Sequence, residues 1–341
     1  MKIVIMAGGK GTRFWPKSTT ELPKQFLPII SERTMLQLTY ERFARWLPAS
    51  AMYVVTSAEY RLLVQEQLPE LLPDHIIIEP EQKDTGPCIA LTAMHFLKRN
   101  DDEVLVMTPS DHYMPDSASL QAALLQAEQA AMRGRAIVTL GIVPTRPETG
   151  YGYIRSGTEQ PELPGIRPVH SFIEKPSAAA AKELLCQPGV YWNSGTFIWK
   201  PSTIAYYVEK HQPQMWQALL DSGPDLAEAY ARLPSISVDY AILEKADEIY
   251  TIPVNFVWDD VGSWSALERV LQPDADGNLI QGRVLARQAS NNIIVSGHNQ
   301  TVVIGVEDLI VVSTDHGLLI CRKAEEQQLK NAIKDIHTLE A

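Results

Sequence analysis

Three glycines and two cations stand near the start of the chain: Gly8, Gly9 and Gly11, then Arg13, then Lys24. Glycine lets successive backbone N–H groups turn into an anion-binding nest, arginine adds a forked donor and lysine a point charge. This composition suits phosphate. A P-loop would need G-x-x-x-x-G-K-[ST], and no such string occurs. A dinucleotide fingerprint needs G-x-G-x-x-G, but G-K-G-T-R-F from Gly9 puts Phe14 where the third glycine should allow close helix packing. The residues alone leave two readings open, a different kind of phosphate cradle or a glycine-rich turn without a ligand.

Carboxylates supply the second kind of chemistry. Asp111 follows the apolar run VLVM and Asp260 follows VNFVW, so each stands at a strand end. Two such carboxylates can hold one Mg²⁺ whose other ligands are water and phosphate, although either alone could simply cap a turn. Asp259 competes with Asp260 for the second position. Glu174 and Lys175 lie in a strand-like run ended by Pro176, where an exposed ion pair of small energetic worth is the alternative to a binding role. Tyr151, Trp192 and Trp199 read as core or pocket wall.

The elements that must position these residues follow from the periodicity. Short apolar runs at 3–7, 52–56, 75–80, 103–111 and 136–142 alternate with helical patterns near 34–46, 58–68, 87–99 and 117–133. Such alternation predicts βαβ units and a Rossmann-like, mostly parallel mixed sheet in an α/β fold, with ligands at the carboxyl ends of the strands. The glycine loop and Ser110-Asp111-His112 should therefore open on one edge. Residues 150–260 mix strands (TGYGYI, VHSFIEKP, YWNSGTFIW) with helices (AAAAKELL, STIAYYVEKH). From NLIQGRV onward, apolar pairs and triplets recur between Gly, Asn and Asp, which favours a small β-helix-like solenoid over a sandwich. A polar helix at 324–336 should follow. The turn-rich PDADGN (273–278) marks the boundary, giving domains 1–272 and 278–341.

Composition narrows the classes. The net charge of −11 disfavours nucleic acid as a partner, yet residues 1–30 carry Lys2, Lys10, Arg13, Lys17 and Lys24 against only Glu21. A basic pocket in an acidic protein points to a small polyanion. No apolar run approaches the roughly 18 residues needed to span a bilayer, and MKIVIMAGG does not read as a signal peptide. Three widely spaced cysteines, Cys88, Cys186 and Cys321, are expected to be small buried hydrophobes in a reducing cytoplasm.

AGGKGTRFWPKS and LPKQFLPI resemble the A-G-G-x-G-T-R-x-x-P and P-K-Q-F-L motifs of the sugar-nucleotide pyrophosphorylases, and of the mannose-1-phosphate guanylyltransferases among them. TPSDHY, TGYGYI, FIEKP, YWNSGTFIW, SVDYAILEKA and VWDDVGSW follow in the expected order across most of the chain. The resemblance implies a nucleotidyltransferase domain of GT-A-like fold. Its reaction would join GTP and mannose 1-phosphate by attack of the sugar-phosphate oxygen on the α-phosphorus, with Mg²⁺ as cofactor. Positioning and charge neutralisation matter most in such a transfer.

By the same resemblance, Gly8, Gly9, Gly11, Thr12 and Arg13 hold the triphosphate, and Lys24 reaches the α-phosphate and the incoming sugar phosphate. Asp111 and Asp260 hold the metal, Asp260 because it matches the family's D-x-G pattern. Glu174 accepts sugar hydroxyls, Lys175 holds the sugar phosphate, and Gly150 and Asn193 add sugar contacts. One departure stands out: EPEQKDTGPCIA occupies the place of the usual R-N-T-A-P-A, so Thr85 and Pro87 remain while Asp84, Gly86 and Cys88 differ. Thr85 and Gly86 are expected near the nucleotide, and the base preference is the open point. Alternatives are a pyrophosphorylase for another nucleotide and sugar, or a non-catalytic regulatory homologue, although Arg13, Lys24, Asp111, Lys175 and Asp260 are all present. Only about 60 residues follow PDADGN, so the guanylyltransferase activity is expected without the isomerase domain of longer members. The C-terminal β unit is a candidate homodimer surface.

Overall fold

The β-branched runs of the first half become strands, and the computed structural model describes them together with all other residues except 10, 160–161, 224, 298–299 and 340–341. Lys10 of the basic segment thus lies outside the described residues. The chain divides into two units. The first comprises Met1–Gly8, Tyr40–Ser110 and Met114–Trp258; the second comprises Gly9–Thr39, Asp111–Tyr113 and Asp259–Ala341.

The first unit is built on a nine-stranded sheet. Its strands are β1 (Lys2–Met6), β2 (Met52–Ser57), β3 (Ile76–Glu79), β4 (Leu105–Pro109), β5 (Ile137–Ile142), β6 (Tyr153–Ser156), β7 (Arg167–Ile173), β8 (Val190–Trp199) and β9 (Ile249–Val254), in the order β3-β2-β1-β4-β8-β5-β9-β7-β6. The block β3-β2-β1-β4 is parallel throughout. Every residue of β2 and β5 is buried, as a strand covered on both faces requires. The helix expected at 87–99 runs from Thr85 to Leu97, because Asp84 Oδ1 accepts the Thr85 N–H at 2.7 Å and starts it two residues earlier. Ile89, Ala93, Phe96 and Met94 of that helix join Ile204, Tyr207 and Val208 in the main apolar core. The strand β8 enters antiparallel between β4 and β5. Its register with β5 slips between Thr139 and Gly141, opposite the Asn193–Thr196 stretch.

In the second unit the apolar triplets form a parallel solenoid. Strands β10 (Leu279–Gln281), β12 (Ile293–Ser296) and β14 (Leu309–Thr314) pair in parallel on one face, and β11 (Val284–Arg287) pairs in parallel with β13 (Thr301–Ile304). Strand β15 (Gly317–Arg322) closes antiparallel on β14. Two buried asparagines bond the rungs: Asn278 Oδ1 accepts Asn292 Nδ2 at 3.0 Å, and Asn292 Oδ1 accepts the Leu309 N–H at 2.9 Å. The terminal helix expected at 324–336 is a 3₁₀ turn, Lys323–Gln328, and then an α-helix, Leu329–Leu339. Leu329 and Ile333, one turn apart, enter the core, which sets where the α register begins. Of the cysteines, Cys88 is buried and Cys321 half-buried, but Cys186 is exposed as the residue that caps the helix Ala178–Leu185. Among the described residues, no helix is long and apolar enough to cross a membrane.

Candidate functional site

The residues singled out in the sequence divide between the two units. Gly9, Gly11, Thr12, Arg13, Lys24, Asp111 and Asp260 belong to the second; Gly8, Thr85, Gly86, Gly150, Glu174, Lys175 and Asn193 belong to the first.

Lys24 organises the second-unit cluster. It opens a single 3₁₀ turn, Lys24–Phe26, after the extended Pro23, and only 5% of its surface is exposed. Its Nζ donates to Asp111 Oδ2 at 2.9 Å, to the Asp111 carbonyl at 3.1 Å and to the Asp260 carbonyl at 2.7 Å. The Phe14 ring, the residue that excludes a dinucleotide fingerprint, lies 5.7 Å from that ammonium. Gly11 has φ +53°, and a Cβ on it would stand 2.7 Å from the Lys24 backbone nitrogen, so conformation and space both demand glycine. Gln25 Nε2 donates to the Gly9 carbonyl at 2.7 Å and ties the glycine loop to the lysine turn. Thr12 and Arg13 are exposed, and Arg13 Nη1 reaches the Gly262 carbonyl at 3.3 Å. Gly11, Arg13, Phe14, Lys24, Asp111, His112, Asp260 and Gly262 line one cavity.

The carboxylates here are held by different means. Burial pushes the Asp111 carboxyl up, but Lys24, His112 and Arg13 outweigh it and hold it below the usual carboxylate range. Asp259 is buried, and Arg269 grips it bidentately, Nε to Oδ2 at 2.5 Å and Nη2 to Oδ1 at 2.9 Å. The Val261 N–H also donates to Asp259 Oδ1, at 2.8 Å. Asp260 instead lines the cavity and accepts the Gly262 N–H at 3.0 Å. Nucleotidyl transferases generally use a divalent metal. Among the described residues no three His, Cys, Asp or Glu side chains form a complete metal site. Two cavity carboxylates beside two cations fit an ion that takes its remaining ligands from phosphate and water.

In the first unit, Gly8 follows β1, and a Cβ on it would stand 3.2 Å from Glu79 Oε2. Glu79 is a buried carboxyl at the end of β3 that accepts the Tyr230 hydroxyl at 2.7 Å; burial raises its pKa despite the Tyr230 and Cys88 hydrogen bonds. The departing segment at 83–86 pairs with residues 236–238. The Gly86 N–H donates to the Ile236 carbonyl at 2.9 Å, and a Cβ on Gly86 would lie 2.7 Å from that oxygen. Glycine there serves a close backbone approach, and its N–H is already engaged. Thr85 Oγ1 accepts the Val238 N–H at 2.8 Å.

Asn193 sits on β8 with its amide oxygen accepting the Gly195 N–H at 3.1 Å and the Thr139 hydroxyl at 3.4 Å. Its Nδ2 faces Asp239 Oδ1 at 3.4 Å. Glu174 pairs with the exposed Lys175 at 2.7 Å, and Lys175 holds a left-handed φ of +44°. Gly150 is exposed and donates its N–H to Glu148 Oε1 at 3.1 Å. Tyr151 and Trp192 are buried edge to face with ring centroids 5.2 Å apart, and the Arg146 guanidinium lies 4.9 Å from the Trp192 ring. Trp199 stacks on Phe197 in the core. Asp239 is the residue that sequence reasoning passed over. Its signal was an acidic side chain inside the apolar motif SVDYAIL.

A glycine turn after a parallel strand and a buried lysine bonded to Asp111 and to the Asp260 carbonyl, in a largely parallel α/β sheet protein, are features of the nucleotide-handling class. The chain belongs to the nucleotidyl transferase family, whose profile matches residues 2–277. Residues 282–336 match the MannoseP isomerase/GMP-like beta-helix domain. The alginate biosynthesis protein AlgA of Pseudomonas aeruginosa is 38% identical over 346 residues, covering 98% of this chain and 71% of that protein. The mannose-1-phosphate guanylyltransferase of Klebsiella pneumoniae is 36% identical over 97% of this chain and 73% of its own length. A crystal structure titled mannose-1-phosphate geranyltransferase, from Thermus thermophilus, superposes with a TM-score of 0.88 at 34% identity, covering 98% of this chain and 99% of that one.

Proposed function

We propose that this protein transfers GMP from GTP to mannose 1-phosphate. A sugar-phosphate oxygen bonds to the α-phosphorus, the bond from that phosphorus to the bridging oxygen breaks, and pyrophosphate leaves. The observation that carries this reading is the buried Lys24 between Asp111 and Asp260 in the glycine-loop cavity, in a chain similar to a mannose-1-phosphate guanylyltransferase. The glycine loop with Arg13 would hold the β- and γ-phosphates, and Lys24 would neutralise the oxygens around the α-phosphorus as charge builds there. Asp111 and Asp260 would hold Mg²⁺, which supplies positive charge to the triphosphate; the engagement of Asp259 by Arg269 supports Asp260 over its neighbour. Glu174, Asn193 and Gly150 would bind the sugar, Lys175 its phosphate, and Thr85 and Gly86 would lie beside the nucleotide. Residues 1–272 would form the catalytic domain and 278–341 the β-helix-like one.

Pyrophosphate release measured across four nucleoside triphosphates and several sugar 1-phosphates, with and without Mg²⁺, tests the reading. Turnover should peak with GTP and mannose 1-phosphate and depend on the metal. Equal rates with UTP and glucose 1-phosphate would refute the specificity. Lys24→Ala should lower kcat by about a hundredfold or more, since it removes a transition-state charge partner.

A further inference from the structure

Asp239 has no role in the transfer as described so far. It stands half-buried in the short helix Val238–Ala241, with Oδ1 3.4 Å from Asn193 Nδ2. The Asn193 amide oxygen already accepts the Gly195 N–H and the Thr139 hydroxyl, which fixes the amide with its donor toward Asp239. Gly152 completes the cluster: a Cβ on it would stand 2.7 Å from Glu174 Oε2 and 3.5 Å from the Asn193 Cβ. Glycine is what keeps this space open. Burial first, then the charges of Glu174 and Asp84, raise the Asp239 carboxyl to about 6.

Glu174 and Asp239 offer acceptors, and Lys175 is ion-paired to Glu174. Around Asp239 this excess of carboxylate suits a polyol, which brings the hydroxyl donors that two carboxylates need. The Asp239 backbone is also held in place from one side. Ile236 accepts from the Gly86 N–H and donates to the Lys83 carbonyl at 3.2 Å, and the Val238 N–H donates to Thr85 Oγ1.

We propose that Asp239 is a specificity-determining residue for the sugar, accepting ring hydroxyls beside Glu174, with its placement set by the pairing of residues 236–238 with the 83–86 turn. The inference rests on the transfer to a sugar 1-phosphate stated above. Among the described residues, Glu174, Asp84, Asn193 and Ser237 act on Asp239. As pH falls through about 6, Asp239 takes up a proton and becomes a poorer acceptor.

Steady-state pyrophosphate release by wild type, Asp239→Asn and Asp239→Ala, varying mannose 1-phosphate and GTP in turn, tests it. Asp239→Asn should raise the sugar KM about tenfold above neutral pH, with kcat changed by less than about threefold and the GTP KM nearly constant. The wild-type sugar KM should climb more steeply as pH falls below about 6 than that of Asp239→Asn, whose remaining slope reports the second ionisation of the sugar phosphate itself. An active enzyme whose sugar KM ignores Asp239→Asn overturns the inference and leaves the function standing. A fall in kcat with both KM values raised together would mark a structural role and overturns it as well. If Asp239→Ala fails to fold, the isosteric Asn variant decides. A wild type without turnover on any sugar 1-phosphate overturns the function, and this inference with it.

Discussion

In the second unit Lys24 is bonded to Asp111 and to the Asp260 carbonyl, while in the first unit Glu174 and Asp239 share a neighbourhood whose cation, Lys175, is exposed. The one cluster has a buried lysine already paired with a carboxylate before any ligand arrives. The other keeps an excess of acceptors and lets burial push a carboxyl up toward neutrality. Phosphate transfer needs cations that do not reorganise when charge develops, so their partners must be built in. Hydroxyl recognition needs acceptors that are still looking for donors, so theirs must be incomplete. The two charge patterns correspond to the two halves of the proposed reaction.

Deleting residues 278–341 should break the second-unit half most severely. Leu279, Ile293, Val295, Ile310, Val312, Leu319, Leu329 and Ile333 share one apolar cluster with Phe14, Leu27, Val261 and Trp264. At about 1.5–3 kcal/mol for each buried side chain, their contribution of about 12–24 kcal/mol is at least comparable to the roughly 5–15 kcal/mol of a whole domain. The truncated chain should show no pyrophosphate release and a melting transition lacking this unit by calorimetry; wild-type turnover would show the cluster to be dispensable.

A smaller effect separates two adjacent aspartates. Asp260→Asn should cut kcat by about a hundredfold with little change in melting temperature. Asp259→Asn should do the reverse, costing about 1–3 kcal/mol by leaving Arg269 half-paired, with activity largely kept. Exchanged outcomes would move the candidate ligand to Asp259.

The smallest effect probes the first unit. Because its folded pKa is raised, Asp239 binds its proton more tightly in the folded than in the unfolded chain, so its charge costs stability above about pH 6 and that cost vanishes as pH falls below the usual carboxylate range. Asp239→Asn should therefore be stabilised by about 1 kcal/mol at pH 8, allowing for its partial exposure, and by nothing near pH 4. Chemical denaturation at the two pH values measures the difference, and an equal shift at both would show that charge burial is not the cause.

Much of this was legible because it is local. A strand ending at Met6, the glycines after it and the βαβ alternation are all written in residues near one another. The direction of β8 was not, since an apolar run looks the same parallel or antiparallel. The need for Gly11 was legible as a turn, but its closeness to the Lys24 backbone was not. The departure at Gly86 was legible as a change of residue, but the close approach of the Ile236 carbonyl, contributed by a segment 150 residues further along, was not. Asp239 was hidden for the same reason: its meaning depends on Asn193 and Glu174, neither of them near in sequence.

Val261, between Asp260 and Gly262, bends with φ +47° and is fully buried. A β-branched residue in that conformation costs roughly 1–3 kcal/mol, which glycine would avoid. Its isopropyl group, packed in the same cluster as Phe14 and the solenoid side chains, returns a comparable amount. The turn that presents Asp260 thus works as a latch under tension, held shut by apolar packing together with the hydrogen bonds of the Val261 and Gly262 N–H groups. Its catch is the hydrophobic interior, so a methyl group lost from Leu279 or Ile293 can alter the aim of an aspartate it never touches.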